Sequence, residues 1–138
     1  MSRTKPGTSS SPRPTRDERG STTIELVILL PALFAVLFLG MQAALFYHAR
    51  TVAIAAAQEG ARAAGGENGR ESDGARAANA FIADAGGDDA LSGATVRVTR
   101  SETSATVMVV GHSLSVIPGW SPVVRQVASA PVERLTEP

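Results

Sequence analysis

The chain contains no cysteine, so it has no disulfide framework, no thiolate metal site and no thiol nucleophile. Histidine is nearly as scarce: His48 and His112 stand apart, with no second histidine or nearby carboxylate at ligand spacing. No metal or other cofactor is expected. Serines are plentiful, yet no Gly-x-Ser-x-Gly elbow occurs and no acid and base flank a candidate nucleophile, which leaves enzyme function without residues to carry it. Aromatic residues make up only 4% of the sequence, with one tryptophan and one tyrosine among them. Long charged runs are missing too, and the formal net charge is zero.

The charge is nevertheless arranged. Arg3, Lys5, Arg13, Arg16 and Arg19 stand against Asp17 and Glu18 in residues 1–20, leaving the remainder mildly acidic. That segment is rich in Ser, Pro, Gly and Arg without apolar periodicity. It cannot bury enough surface to offset its ordering entropy, and it reads as a disordered tail. Lacking an aromatic platform, the tail is a poor nucleic-acid ligand, and setting membrane orientation is its simpler role.

What is abundant is aliphatic residue, concentrated in one block. From Leu26 to Tyr47 the chain is apolar apart from Gln42. As a helix this run of about 22 residues rises about 33 Å, close to the hydrocarbon thickness of a bilayer. Pro31 inside it removes a backbone donor, a defect that packed membrane helices tolerate. Basic residues lie almost wholly before the block and only His48 and Arg50 closely follow it. The positive-inside rule therefore puts the N-terminus in the cytoplasm, with a single pass through the cytoplasmic membrane and the C-terminal part exterior.

Helical spacing continues beyond the block. Ile54, Ala57, Ala61 and Ala64 recur at three and four, while Thr51, Gln58 and Arg62 fall on another face. The helix is expected to run to Ala64, with Gly65 and Gly66 stopping it in the left-handed conformation. A second helix is expected over Asp73–Ala85, capped by Ser72 or Asp73, striped by Ala75, Ala78, Phe81, Ile82 and Ala85, and ended by Gly86 and Gly87. Past Leu91 the period becomes two. Val96 and Val98 alternate with Thr95, Arg97 and Thr99, then Ala105, Val107 and Val109 with Thr106 and Met108, as a hairpin turning at Arg100–Ser104. A third strand is expected over Leu114 and Val116, a loop around Trp120 between Pro118 and Pro122, and a fourth strand over Val124–Ala130; Trp120 itself reads as a buried plug or an exposed contact, the first favoured because tryptophan is mostly buried.

The architecture expected is α+β: a long N-terminal transmembrane helix extending into a small exterior domain with a second helix and a short antiparallel sheet. The divisions are a basic tail over 1–20, the transmembrane and extended helix over 21–64, and the exterior domain over 65–138.

The most informative stretch is Arg19-Gly20-Ser21-Thr22-Thr23-Ile24-Glu25-Leu26, where a basic tail meets glycine, then a lone carboxylate, then the apolar helix. Gly20 has no side chain to obstruct a protease groove and would interrupt the helix before the block begins. Glu25 is unfavourable at the start of a membrane helix unless it is paired or interfacial. A second reading of the same residues is a capping box, in which Thr22 and Glu25 satisfy free backbone donors at a helix start. The two can coexist.

This order of features resembles the processing site of type IV prepilins and pseudopilins. The resemblance implies cleavage by a prepilin peptidase between Gly20 and Ser21. It also implies a subunit-registry role for Glu25, which would neutralise the mature Ser21 amine of a neighbouring subunit. More widely, residues from Gly20 to Gly65 resemble the TadE-like family, pseudopilins of the Tad/Flp tight-adherence pilus. The likeness is carried by Ile24-Glu25-Leu26, Leu29-Leu30-Pro31 and the Ala-rich Ala55–Ala64 segment containing Glu59, Gly60 and Arg62. Processed members usually carry an aromatic residue after the glutamate, where this chain has Leu26. The function implied is a minor pseudopilin or assembly component acting in adhesion or secretion, non-catalytic. Its partners would be other pilins and pseudopilins, Tad assembly proteins and the lipid bilayer.

Small residues four apart, Gly40 with Ala44 and Ala53 with Ala57 and Ala61, would let another helix approach, although an Ala-rich sequence produces such spacing by composition. Glu59 and Arg62 are spaced for a surface ion pair. Two other identities stand beside the pilin reading. One is an uncleaved signal-anchored surface protein that binds a ligand or envelope component. The other is an exported protein whose apolar block is a signal peptide cut near Ala53-Ile54-Ala55, although that block exceeds the usual core length.

Overall fold

The computed structural model describes residues 1–4, 7–11 and 17–134, with side chains described from residue 20 onward in the first helix. Lys5, Arg13 and Arg16 of the basic tail lie outside the described residues, and 1–4 and 7–11 carry no regular secondary structure. The chain divides into two compact units, Met1–Val36 and Leu37–Pro138.

The first helix, α1, runs Asp17–Gly65. It is already formed at Gly20, where an interruption was expected, because one glycine costs only about 1 kcal/mol relative to alanine and a long helix already nucleated beyond it can extend through that cost. Thr22 and Glu25 consequently lie inside the helix rather than at its start, and the capping-box reading falls. Pro31 is also accommodated. Its ring leaves the Val27 carbonyl without a helical donor, yet the helix continues. At its far end α1 stops at Gly65 as expected, but the left-handed residue that follows is Asn68, with φ 60°, and neither Gly65 nor Gly66.

The second helix, α2, is Glu71–Asp84, two residues earlier at its start than the spacing predicts. Asp73 is not its cap. It sits in the first turn, where its carboxylate accepts the Arg70 N–H at 3.0 Å. Gly86 and Gly87, with φ of 122° and 59°, terminate the helix and lead into a 3-10 turn over Gly87–Asp89. The buried line of α2 is Gly74, Ala78 and Ile82, whereas Phe81 is exposed.

Three strands follow: β1 Ser92–Arg100, β2 Ser104–His112 and β3 Val123–Pro131. They form an antiparallel meander in the order β1-β2-β3. Val98 stands opposite Val107, which stands opposite Ala128, and Val96 opposite Val109, so alternate residues share one inner face. The expected third strand at Leu114 and Val116 does not exist. Those residues belong to the loop between β2 and β3, and the strand anticipated at Val124–Ala130 is the third and last among the described residues.

The inner sheet face packs on both helices. Its core holds Val107, Val109, Val124 and Leu91 against Ala49, Val52, Ala53, Ala56, Ala57 and Ala61 of α1 and Ala78 and Ile82 of α2. Alanine dominates the α1 side, so helix and sheet approach closely and little volume is available for large side chains. Leu91 is the exception: a Cβ on Gly111 would lie 2.6 Å from the Leu91 Cγ, so the absence of a side chain at Gly111 makes room for that leucine.

Candidate membrane anchor and processing segment

Among the described residues one helical stretch, Gly20–Gly65, is long and apolar enough to cross a membrane, and none of its most apolar window is buried in the protein. Ile24, Leu26–Leu30, Leu33, Phe34, Val36–Leu39 and Met41 all expose half or more of their surface. A monomeric protein in water rarely leaves so large a contiguous apolar surface open. Gly20 and Ser21 are exposed, and a Cβ at Gly20 would meet nothing within 4 Å. Glu25 is exposed on the same helix, with no hydrogen bond or ion pair among the described residues. Leu26, Leu29, Leu30, Ala32, Leu33 and Val36 line a shallow apolar depression beside Pro31.

At the other end of the apolar run the exposure pattern changes at Gln42, the single polar residue there and 3% exposed. Its Nε2 donates to the Leu114 carbonyl at 3.2 Å, and its Oε1 accepts the Val116 N–H at 3.0 Å. The Ser115 Oγ lies 3.0 Å from both Gln42 Oε1 and the Ile117 carbonyl, and its one proton serves one of these acceptors at a time. Gln42 thus docks the β2–β3 loop onto α1, on the same helical stripe as Ala49, Val52, Ala53 and Ala56. In the sequence Gln42 stands only as an exception in an apolar run, with nothing to mark its partner. Gly40 remains open, with nothing within 4 Å of a Cβ built there, and Tyr47 is exposed. Trp120, expected to be buried, is 50% exposed and lines a groove with Leu39, Gln42, Phe46, Tyr47 and Pro122.

The segment with Glu59, Gly60 and Arg62 has a packing role that spacing alone does not reveal. A Cβ on Gly60 would meet the Gly74 carbonyl oxygen at 2.8 Å and the Ala78 Cβ at 3.1 Å, and one on Gly74 would meet the Gly60 carbonyl oxygen and the Ala64 Cβ, both at 2.8 Å. The two glycines let α1 and α2 cross backbone to backbone. Glu59 and Arg62 pair on the outside at 3.1 Å, with side chains 49% and 70% exposed, an arrangement worth a few tenths of a kcal/mol. Just beyond, Arg100 Nε donates to the Ala64 carbonyl at 2.8 Å and the Glu133 N–H donates to the Gly65 carbonyl at 2.9 Å. Both satisfy carbonyls at the end of α1, and the arginine adds a cation at the negative end of the helix dipole.

No curated protein and no solved structure matches the chain. The sequence model described as TadE-like protein matches residues 20–62, just under a third of the length, and the candidate residues Gly20, Ser21, Glu25, Leu26, Pro31, Gly40, Tyr47, Glu59, Gly60 and Arg62 all lie inside it. Over residues 20–62, then, the chain matches the TadE-like protein family, which links it to the Tad pilus.

Proposed function

We propose that this protein is a minor, non-catalytic pseudopilin or assembly component of a Tad-type pilus. It would sit in the cytoplasmic membrane with its N-terminus inside and the domain over residues 65–138 outside, and would contribute to adhesion or secretion. The observation that carries the reading is the combination on α1 of an exposed apolar surface with one carboxylate, Glu25, at its N-terminal end, which has no partner among the described residues. A carboxylate there is unfavourable in lipid unless a cation from another molecule meets it. The amine released by cleavage after Gly20 would supply that cation on a neighbouring subunit.

Cleavage requires a prepilin peptidase to reach the Gly20–Ser21 bond. Nothing crowds Gly20, and it lies within the first turn of α1, where unwinding breaks few hydrogen bonds. The continuity of α1 through Gly20 and the presence of Leu26 favour a second reading, an uncleaved anchor whose exterior part binds a ligand or envelope component. Intact-mass measurement of the membrane-fraction protein separates the two. Loss of residues 1–20 is the expected result, and it should be abolished by Gly20→Ala. A full-length mass in the unsubstituted protein would leave the anchor reading in its place.

A further inference from the structure

The loop between β2 and β3 is constructed unlike a segment meant for water. From Ser113 to Pro122 it contains no charged residue. It exposes Leu114, Val116 and Trp120. Much of its backbone is nevertheless satisfied. The Ser113 N–H donates to the Pro122 carbonyl at 2.9 Å and closes the base, while the Trp120 N–H donates to the Ile117 carbonyl at 3.2 Å. The Ile117 N–H donates to Ser115 Oγ at 3.0 Å, and Gln42 holds the Leu114 carbonyl and the Val116 N–H. Apolar side chains turned outward over paired amides suit a medium poor in water, where each unpaired amide costs several kcal/mol.

Position along α1 identifies the medium. The loop is tied to Gln42, five residues before the apolar run ends at Tyr47, which is about 7 Å inside that run at helical rise. The groove between loop and helix is continuous with the exposed apolar surface of Leu37–Leu39. Tyr47 and Trp120, the only tyrosine and the only tryptophan, both border it, and these are the residue types that collect at membrane interfaces. His48 and Arg50 are exposed immediately beyond, placed to meet lipid phosphates.

We infer that the Ser113–Pro122 loop is a membrane-seating loop. Leu114, Val116 and Trp120 enter the outer leaflet at the headgroup–acyl boundary, and lipid acyl chains fill the groove beside Leu39 and Phe46. The inference rests on the reading of Leu26–Tyr47 as the membrane span. It moves the outer limit of protein-free helix from Tyr47 inward to Gln42, and it sets the depth at which the folded exterior part meets the bilayer.

The single tryptophan makes the loop directly observable. The full chain is reconstituted in phosphatidylcholine vesicles with iodide available on both sides, and Trp120 emission is followed. The expected result is blue-shifted emission that resists iodide. Quenching should be several-fold stronger with phosphatidylcholine brominated near the headgroup end of its acyl chain than near the chain terminus. Emission quenched by iodide and untouched by brominated lipid, in protein that resists carbonate extraction, would overturn the seating loop and leave the span standing. Shielding from both quenchers that disappears when protein is diluted in lipid would assign the groove to a second copy and also overturn it. Release of the protein by carbonate would remove the span and the loop together.

Discussion

Gln42 joins stretches 72 to 74 positions apart through hydrogen bonds to Leu114 and Val116. Replacing it with leucine keeps the helix and the volume but strands a part-buried carbonyl and a part-buried N–H, at a cost of up to about 1–3 kcal/mol. Gln42→Leu is therefore expected to lower the unfolding midpoint of the detergent-solubilised chain and to accelerate hydrogen exchange at the Val116 amide. Unchanged protection of that amide would show that the loop is held by other means. The residue was visible in the sequence as the one break in an apolar run. Its role was not, because nothing in local spacing marks a partner so distant, and the partners are backbone atoms that carry no residue-type signal. The exposure of Trp120 is hidden in the sequence for a related reason. Tryptophan is usually buried, and only the docking of its loop on Gln42 leaves it open beside Leu39 and Phe46.

At the level of elements, periodicity was legible wherever one face of an element packs. The helical spacing that ends at Ala64, the stripe through Ala78 and Ile82, and the alternation of Val96, Val98, Val107 and Val109 all correspond to faces turned toward the core. Alternation at Leu114 and Val116 imitated a strand because a docked loop can also turn every second side chain outward. The crossing of α1 and α2 was hidden, since glycine has no hydropathy to contribute to a stripe, yet Gly60 and Gly74 set the distance between the helices. Gly74→Val would press a branched side chain onto the Gly60 carbonyl, the Ala64 Cβ and the Val98 Cγ1, the last at 3.2 Å from the Cβ position. The expected destabilisation is about 1–3 kcal/mol or somewhat more, as for other overpacked cores. Thermal unfolding in detergent, followed by circular dichroism, should show a lower midpoint, whereas Ser72→Ala on the exposed side of α2 should change it little. Equal midpoints for the two variants would mean that the helices can separate without loss.

For the whole molecule, one helix serves two media. From Ile24 to Met41 α1 presents almost only apolar surface outward, and from Ala49 to Ala64 its small residues form one wall of the core shared with α2 and the sheet. The exterior domain proposed for residues 65–138 therefore shares its core with α1. A domain this small, with a core made largely of alanine, gains from that wall, because short chains bury too little surface to be comfortably stable alone. If Glu25 meets the amine of an adjacent subunit, Glu25→Ala should leave the protein in the carbonate-resistant membrane fraction, since removing a carboxylate makes the span more apolar. Co-isolation with partner pilins should fall markedly. Glu25→Gln keeps the size and hydrogen-bonding capacity but not the charge, so it should fail in the same way if attraction to an amine sets the register. Undiminished co-isolation of Glu25→Ala would remove the registry role, while recovery in Glu25→Gln alone would replace the ion pair with a neutral hydrogen bond.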